Sequence, residues 1–468
     1  MSQHAQPNLR EVIGHTLVSP YLDSHPSKGM PRALDHEVQN QLGLYLHIPF
    51  CEKKCPYCDF NTYAGLESSF GPMVDALCAE LVRWQSILAG WEIDTIFIGG
   101  GTPTVLPIDL LTKLFHTITH AFDVASGCEI TCEANPGTVD RGKFAHLRNL
   151  GINRLSMGVQ SFHPEELQFL GRIHDTADVY EAFDAARRAG FDNINLDFIF
   201  GLPSQDEEQA MHNWKNTLTQ ALSLVPEHLS LYSLIVEPNT PLSHWVEKGT
   251  VAEPDGDLAA TMYEMAIETL QASSNEYRHY EVSNWAKDDT LVSQHNLKYW
   301  RNQFYLGIGP GAHSHMPYHW RQSVANNDLP RKQLSTKQLM FDTQWRWGNR
   351  KPLGGYMARI QRGEAVVDAN VDEAIDRRTA MGETMMMGLR LVDEGVSIAE
   401  FYDQYQTSPC AIFAEEIQRL QAWGLLQIKD DNGEYPQSHE SLSEQLTGRI
   451  CLTQRGLMLG NQVFAEFI

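Results

Sequence analysis

The stretch Tyr45-Leu46-His47-Ile48-Pro49-Phe50-Cys51-Glu52-Lys53-Lys54-Cys55-Pro56-Tyr57-Cys58-Asp59-Phe60 decides the fold of this chain. Its cysteines have the spacing C-x3-C-x2-C, in which three thiolates can hold three irons of a [4Fe–4S] cluster and leave the fourth iron open. An open iron can bind a small chelating ligand and pass it one electron. The spacing therefore predicts an iron–sulfur cluster bound by Cys51, Cys55 and Cys58.

A zinc site and three unrelated thiols are the alternatives. Zinc would need a fourth Cys or His nearby, and the one close candidate, His47, lies inside a strand-like run before the triple. With 8 Cys in 468 residues, this spacing would be a rare coincidence. The other cysteines follow no complete metal spacing and are predicted to be buried apolar residues: Cys78, Cys128, Cys132, Cys410 and Cys451.

The bulk composition is that of a globular protein. Of the residues, 42% are hydrophobic and 20% charged, and no apolar run approaches a membrane span. The N-terminus has no basic segment followed by an apolar one, so no signal peptide is predicted. A net charge of −23 disfavours a nucleic-acid partner, because phosphate binding needs a basic face. An oxygen-sensitive cluster fits a reducing compartment, so we expect a cytoplasmic protein without a disulfide framework.

Short β-rich runs alternate with helix-compatible stretches after residue 40, which indicates parallel βαβ units. Strands are predicted at Gly43–Phe50, Thr95–Gly101, Glu129–Pro136, Arg154–Phe162, Asn193–Pro203 and His228–Pro238, and helices at Ser69–Ala89, Leu110–Ala121, Ala177–Gly190, Asp206–Leu222 and Leu258–Ser273. Six such units predict an α/β protein with an incomplete (β/α)6 barrel at residues 41–330. Residues 1–40, interrupted by prolines and without periodicity, are predicted to be a flexible extension.

Residues 331–468 are predicted to form a C-terminal domain of winged-helix-like α+β type. Helices at Arg377–Leu391 and Cys410–Gly424 precede a small hairpin of Leu425–Ile428 with Glu434–Tyr435, and a last helix ends at Ile468. The segment has 15 Lys and Arg against 19 Asp and Glu, a net of −4, so a packing or lid role is favoured over DNA binding. The methionines of its first helix are interpreted as core filling: Met381, Met385, Met386 and Met387.

Glycines and polar residues follow the predicted strands at the carboxyl ends, where a barrel builds its active site. Gly99–Pro103 ends the second strand, and glycine lets backbone approach a ligand closely. Glu133, Gln160, Arg172 and Asp197 lie at or near the ends of later strands. An acid can bind an ammonium or ribose hydroxyls, and an arginine can pair with a carboxylate. Taken singly, each of these residues could equally be an ordinary surface residue or a helix N-cap.

A histidine with flanking aromatic residues follows the sixth unit, in His295-Asn296-Leu297-Lys298-Tyr299-Trp300. Such a histidine could ligate haem iron while its neighbours stack on the porphyrin. A hydrogen-bonded structural histidine is the more common case. The residues alone leave both interpretations open.

The chain resembles the HemN/HemW branch of the radical S-adenosylmethionine (SAM) proteins over about residues 43–468. The matching segments are Tyr45–Phe60, Gly99–Thr104, Glu133–Pro136, Ser156–Phe162, Asn195–Pro203 and Leu306–Ser314. Three features are most similar to the haem chaperones of that branch. Phe60 stands where coproporphyrinogen dehydrogenases have a further Cys, Glu237-Pro238-Asn239-Thr240 follows strand six, and His295–Trp300 matches the motif H-N-x-x-Y-W. The 40 residues before the first strand depart from the family pattern.

The resemblance implies a role for each matching residue. The cluster ligands would be Cys51, Cys55 and Cys58. The residues that contact cluster-bound SAM would be Tyr45, Gly101 and Glu133. A second SAM position in the family is matched by Tyr57, Thr102, Gln160, Arg172 and Asp197. His295 would be the haem ligand.

The resemblance implies a [4Fe–4S] protein that binds SAM and haem and delivers haem to recipient proteins. The resemblance is compatible with a membrane-protein recipient and with a homodimer. It leaves open whether the protein cleaves SAM and therefore whether it is an enzyme. The alternative is an oxygen-independent coproporphyrinogen III dehydrogenase, in which a 5′-deoxyadenosyl radical abstracts hydrogen from two propionates and CO2 leaves. Phe60 disfavours that alternative. A radical SAM enzyme with an unrelated substrate would leave His295–Trp300 unexplained.

Overall fold

The computed structural model describes residues 40–318, 320–321, 343–430 and 447–468. The flexible extension predicted at residues 1–40 lies outside the described residues, except for Asn40, and it stays a prediction. None of the described helices combines the length and the apolar character that crossing a membrane requires.

A mixed sheet of twelve strands organises the described chain. The strands, numbered in chain order, are β1 (Gln41–Ile48), β2 (Phe50–Cys51), β3 (Tyr63–Ala64), β4 (Glu92–Gly100), β5 (Asp123–Ala134), β6 (Arg154–Gln160), β7 (Ile194–Phe200), β8 (His228–Ser233), β9 (Arg278–Glu281), β10 (Asn284–Ala286), β11 (Tyr305–Ile308), β12 (His313–Pro317), β13 (Gln344–Asn349), β14 (Val367–Ile375), β15 (Val396–Ser397), β16 (Leu426–Lys429) and β17 (Arg449–Leu452). The order in the large sheet is β14-β13-β12-β11-β1-β4-β5-β6-β7-β8-β10-β9.

The six predicted strands, β1 and β4 to β8, are adjacent and parallel, which confirms the α/β class and the incomplete barrel. The sheet extends beyond the prediction, because β11 pairs in parallel with β1 and β12 to β14 continue antiparallel from it. Strands β13 and β14 lie beyond the division predicted at residue 330 and still belong to this sheet.

Helices connect the parallel strands and cover the sheet. The α-helices are α1 (Phe70–Gln85), α2 (Ile108–Ala121), α3 (Arg141–Asn149), α4 (Pro164–Phe169), α5 (Thr176–Arg188), α6 (Glu207–Ser223), α7 (Pro241–Glu247), α8 (Gly256–Gln271), α9 (Gln294–Trp300), α10 (Leu353–Gln361), α11 (Arg377–Gly388), α12 (Ile398–Tyr405), α13 (Pro409–Ile412), α14 (Ala414–Ala422), α15 (Gln454–Met458) and α16 (Gly460–Phe464). The 3-10 turns are Glu67–Ser69, Pro103–Val105, Pro136–Thr138 and Ala465–Phe467. Aspartates at the amino ends of α5 and α8 accept backbone N–H bonds, which fixes where these helices begin.

A buried carboxylate joins α1 to the extension of the sheet. Glu80 is 3% exposed and accepts hydrogen bonds from the backbone N–H of Gly309 (2.9 Å), Nδ2 of Asn349 (2.8 Å) and the hydroxyl of Tyr356. Burial raises the pKa of Glu80 to about 7, although these three donors favour the charged form. The side chain therefore couples the first barrel helix to segments nearly 230 and 270 residues away.

The C-terminal elements run helix α11, strand β15, helices α12 to α14, then strands β16 and β17, which is the order of a winged helix. Met381 and Met385 are buried in the core, as predicted for core filling. Leu426–Lys429, the first strand of the predicted hairpin, pairs with Arg449–Leu452. Glu434–Tyr435 lies outside the described residues. The predicted last helix is two short helices and a 3-10 turn.

Candidate functional site

The three motif cysteines lie on one loop that follows β1. The loop is fastened at its base by the short parallel pair β2 and β3, in which Phe50 is opposite Tyr63. A turn brings the backbone N–H of Cys58 to the carbonyl of Cys55 (3.3 Å). All three thiols are free and half-buried. The loop therefore presents three cysteines together at the carboxyl end of the first strand, as predicted.

The surroundings of these sulfur atoms fit an iron–sulfur cluster. The hydroxyl of Thr102 donates to Sγ of Cys51 (3.7 Å), and Nη1 of Arg172 donates to Sγ of Cys55 (3.5 Å). Burial raises the pKa of Cys51 and of Cys58. Hydrogen bonds and positive charge at cluster sulfurs favour the thiolate form that ligates iron. Within the described residues no group of three or more His, Cys, Asp or Glu converges on a single metal ion.

The glycine run at the end of β4 packs directly on the cluster loop. The N–H of Gly101 donates to the carbonyl of Ile48 (2.9 Å), and the N–H of Thr102 donates to the carbonyl of Phe50 (2.7 Å). A Cβ on Gly101 would lie 2.4 Å from the Phe50 oxygen. Only glycine permits this approach, so Gly101 fixes the height of the loop above the barrel.

Glu133 occupies the space beside these glycines. Its Oε2 accepts a hydrogen bond from the N–H of Gly100 (2.9 Å), and a Cβ on Gly99 would lie 2.6 Å from the same oxygen. Burial and the nearby Asp197 raise the pKa of Glu133 to about 8. A buried carboxylate with one donor is stabilised by a cationic ligand. The sulfonium and ammonium groups of SAM supply such charges, so the residues fit the predicted SAM site.

Asp197 lies on β7, two strands from Glu133 in the sheet, in a chain of polar side chains. Its Oδ2 accepts from the hydroxyl of Ser156 (2.9 Å) and its Oδ1 from Nδ2 of Asn195 (2.9 Å). Asn195 Oδ1 accepts from Nδ1 of His228 (2.7 Å), which leaves Nε2 of that ring to accept from the hydroxyl of Tyr280 (2.9 Å). Ser156, Asn195 and His228 were missed, although strand alternation places them inside the barrel.

Gln160 and Arg172 lie above Gly158 at the end of β6. Gln160 has a left-handed backbone (φ 71), and the register of β6 against β7 shifts there. Nη2 of Arg172 donates to the Gly158 carbonyl (2.7 Å), while its buried Nε has no hydrogen-bond partner among the residues that the structure describes. A strained residue and an unpaired donor together indicate a ligand position. Tyr57 is half-buried beside Arg172 and Cys55, where burial raises the pKa of its phenol.

Tyr45 is linked to the cluster loop through a residue that the sequence did not single out as a site residue. Its hydroxyl lies 3.0 Å from Nδ1 of His47, and Nε2 of His47 lies 3.0 Å from the carbonyl oxygen of Asn61. Both ring nitrogens of His47 are therefore occupied, and a fourth zinc ligand is not offered by this side chain. The i, i+2 spacing of Tyr45 and His47 on β1 is the signal that could have identified the pair.

His295 lies at the opposite end of the barrel from the cysteines. Its Nδ1 is 2.9 Å from the hydroxyl of Thr95 and its Nε2 is 2.9 Å from the hydroxyl of Tyr299. The side chain is 1% exposed, and burial, followed by the charges of Lys298 and Arg154, lowers the pKa of His295 to about 3. Its role as a haem ligand stays a prediction, and iron could reach either nitrogen only after one of these bonds is broken.

Helix α9, which carries His295, is fastened to the barrel wall. The carboxylate of Glu129 accepts hydrogen bonds from the N–H groups of Gln294 and His295 (3.0 Å each), and Nζ of Lys298 pairs with Oδ2 of Asp94 (2.6 Å). The helix thus closes the amino-terminal end of the barrel through polar contacts with β4 and β5.

Two family descriptions match the chain. The Radical SAM superfamily matches residues 45–213, and the HemN C-terminal domain matches residues 375–433. A solved structure, coproporphyrinogen III oxidase (HemN) from Escherichia coli, superposes with a TM-score of 0.71 at 23% identity, covering 92% of this chain and 91% of that one. At 23% identity, this structural similarity shows that the two proteins share a fold.

Curated relatives extend the match to nearly the whole chain. "Heme chaperone HemW" of Bacillus subtilis (strain 168) is 34% identical over 426 residues, which is 91% of this chain and 98% of the relative. The protein of the same name from Escherichia coli (strain K12) is 41% identical over 278 residues, covering 59% of this chain and 71% of the relative.

Proposed function

Because the chain belongs to the HemW family of radical SAM proteins, we propose that it is a haem chaperone that binds haem and transfers it to recipient proteins. The observation that carries this proposal is the 34% identity to a heme chaperone over 91% of the chain, including both matched domains. The geometry agrees with the family, because the cysteine loop, the glycine end of β4 and Glu133 meet at one end of the barrel.

The cluster would be held by Cys51, Cys55 and Cys58, and SAM by the residues around Glu133. Burial raises the pKa values of Glu133 and Asp197, and a cationic ligand would stabilise the charged form of each carboxyl group. Nε of Arg172, which has no hydrogen-bond partner among the described residues, offers a donor to a carboxylate. The chemistry that this pair of cofactors supplies when bound is one-electron reduction of a sulfonium. The remaining predicted contacts belong to the same proposed pocket: Tyr45, Tyr57, Gly101, Thr102 and Gln160.

Phe60 supports the chaperone over the coproporphyrinogen III dehydrogenase. The phenyl ring is 58% exposed on the cluster loop, at the position where the dehydrogenases carry a thiol. An exposed aromatic ring at the mouth of the barrel suits contact with a flat apolar ligand. We further propose a cytoplasmic location, with a membrane-protein recipient and a homodimer as assemblies to be tested.

The proposal is tested with anaerobically reconstituted protein titrated with haemin and followed at the Soret band. We expect saturation near one equivalent, and transfer of the bound haem to apomyoglobin in a stopped-flow experiment. In a second experiment, the protein is incubated with coproporphyrinogen III, SAM and a reductant, and the release of CO2 is measured. Absence of haemin binding together with CO2 release from coproporphyrinogen III would reverse the assignment in favour of the dehydrogenase.

A further inference from the structure

The chain of polar side chains that ends at Asp197 has a single direction of hydrogen-bond donation. A carboxylate only accepts hydrogen bonds, so the Asn195 amide must turn Nδ2, and not its oxygen, toward Oδ1 of Asp197 (2.9 Å). Oδ1 of Asn195 then faces Nδ1 of His228 (2.7 Å) and the hydroxyl of Ser230 (3.0 Å), and both must donate to it. The charged form of Asp197 therefore fixes the amide and requires a hydrogen on Nδ1 of His228.

The chain continues from His228 to the beginning of helix α9. With its hydrogen on Nδ1, the ring accepts at Nε2, and the hydroxyl of Tyr280 donates there (2.9 Å). The oxygen of Tyr280 in turn accepts from the backbone N–H of Ser293 (3.3 Å), the N-cap residue of α9. Every donor from Ser293 to Asn195 is thus directed toward Asp197, and hydrogen bonds in such a series polarise one another.

A branch of the same chain holds the other oxygen of Asp197. Oγ of Ser156 accepts from Nδ2 of Asn195 (2.8 Å) and donates to Oδ2 of Asp197 (2.9 Å). The Asn195 amide uses both of its N–H groups and accepts two bonds at its oxygen, so it has one orientation that satisfies all its partners. A carboxylate has about four acceptor positions, so Asp197 keeps capacity for a ligand while its orientation is fixed.

Burial makes these protein bonds decisive. His228, Asn195 and Tyr280 are each at most 5% exposed, so water does not replace a missing partner from outside. Burial, then the charge of Arg154, lowers the pKa of His228 well below its usual value, which keeps Nε2 able to accept. Burial raises the pKa of Asp197, and the hydrogen bonds that it accepts and the charge of Arg154 act in the opposite direction.

Resting on the SAM site of the function proposed above, we propose that His228 and Tyr280 are positioning residues for SAM. Through Asn195 they hold the Asp197 carboxylate in one orientation and favour its charged form, so that it accepts hydrogen bonds from the hydroxyl or ammonium groups of SAM. They act on the ligand through Asp197 alone.

The test measures the Kd of SAM by anaerobic isothermal titration calorimetry of the full-length, cluster-reconstituted protein. His228→Leu removes the donor to Asn195 and should weaken SAM binding about tenfold or more, because the amide no longer has one preferred orientation. His228→Asn can place an amide N–H near the position of Nδ1 and should bind within about threefold of the parent. If His228→Leu does not fold, Tyr280→Phe carries the same test, since it removes one hydroxyl and should also weaken binding.

His315 on β12 provides the matched control. It is 4% exposed, and its ring nitrogens lie 3.3 Å from the carbonyl oxygen of Gln303 and 2.8 Å from Oε1 of Gln344. His315→Leu therefore also removes two buried hydrogen bonds, but these bonds do not lead to Asp197. We expect this variant to lose stability and to bind SAM like the parent.

A double-mutant cycle separates positioning from a general effect on the fold. In an Asp197→Asn background there is no carboxylate to position, so His228→Leu should change the Kd of SAM by less than about twofold. An equal effect of His228→Leu in both backgrounds, or variants at His228 and Tyr280 that bind SAM like the parent, would overturn the positioning role alone. A parent protein that binds no SAM would overturn the SAM site of the proposed function together with this inference.

Discussion

Nδ1 of His295 lies 2.9 Å from the hydroxyl oxygen of Thr95, four residues before Gly99 on the same strand. At the rise of a β-strand this separates His295 from the glycine end of β4 by about 13 Å. The segment that most suggests haem binding from its sequence is therefore built into the barrel floor, away from the cysteines.

His295→Ala is expected to destabilise the fold. The substitution removes two buried hydrogen bonds and the packing of the ring against Phe97, whose centroid is 5.4 Å away. We expect the free energy of unfolding to fall by about 2–4 kcal/mol, measured by urea denaturation of the apoprotein. His116→Ala should stay within about 0.5 kcal/mol of the parent, as a surface substitution does. Equal stability of the two variants would contradict the structural role.

Glu80 should make stability depend on pH. Its pKa is about 7 in the folded protein against an ordinary value of 4.5, so between these values the folded state binds more protons than the unfolded state. This contribution to stability is therefore fully present below pH 4.5 and is lost as the pH rises toward 7. Glu80→Gln should remove that slope from the free energy of unfolding measured between pH 5 and 8. Exposed Glu165→Gln is the control, and an unchanged slope in Glu80→Gln would contradict the assignment.

Gly101→Ala should disturb cluster binding without touching a cysteine. The new methyl group would overlap the carbonyl oxygen of Phe50, which is backbone and cannot rotate away. We expect the variant to incorporate less than about half of the parent's iron after anaerobic reconstitution, since a misplaced loop loses ligand geometry. Gly127→Ala adds a methyl group in open space and should incorporate iron normally. Equal iron content in both variants would show that the loop tolerates displacement.

The cysteines should separate into two classes. Cys51→Ala, Cys55→Ala and Cys58→Ala should each abolish the broad absorbance near 400 nm of the reconstituted cluster, because each removes one of three ligands. Cys410→Ala, at a buried cysteine of the C-terminal part, should retain it. Iron and sulfide analysis measures how much cluster each variant holds. A cluster that survives loss of any motif cysteine would indicate a different ligand set.

The strands of the barrel could be predicted because their signal is local. Each of β1 and β4 to β8 is a short β-rich run, and each overlaps the segment in which the pattern predicted a strand. The hairpin of the C-terminal part could not be predicted in the same way. Strand β16 pairs with β17, whose first residue comes 20 positions after the end of β16, and the intervening sequence offered a nearer β-compatible pair. Local propensity does not identify a partner at that separation.

The sequence by itself determined the cluster ligands and the alternation of strands and helices, because cysteine spacing and strand periodicity are properties of neighbouring residues. Tertiary structure alone decided which polar side chains meet and which stay free. Thr95 and His295 are 200 residues apart and share a hydrogen bond, and Glu80 accepts one from Asn349, which lies 269 residues away. Such contacts depend on the order and register of strands in the sheet, which long-range packing sets.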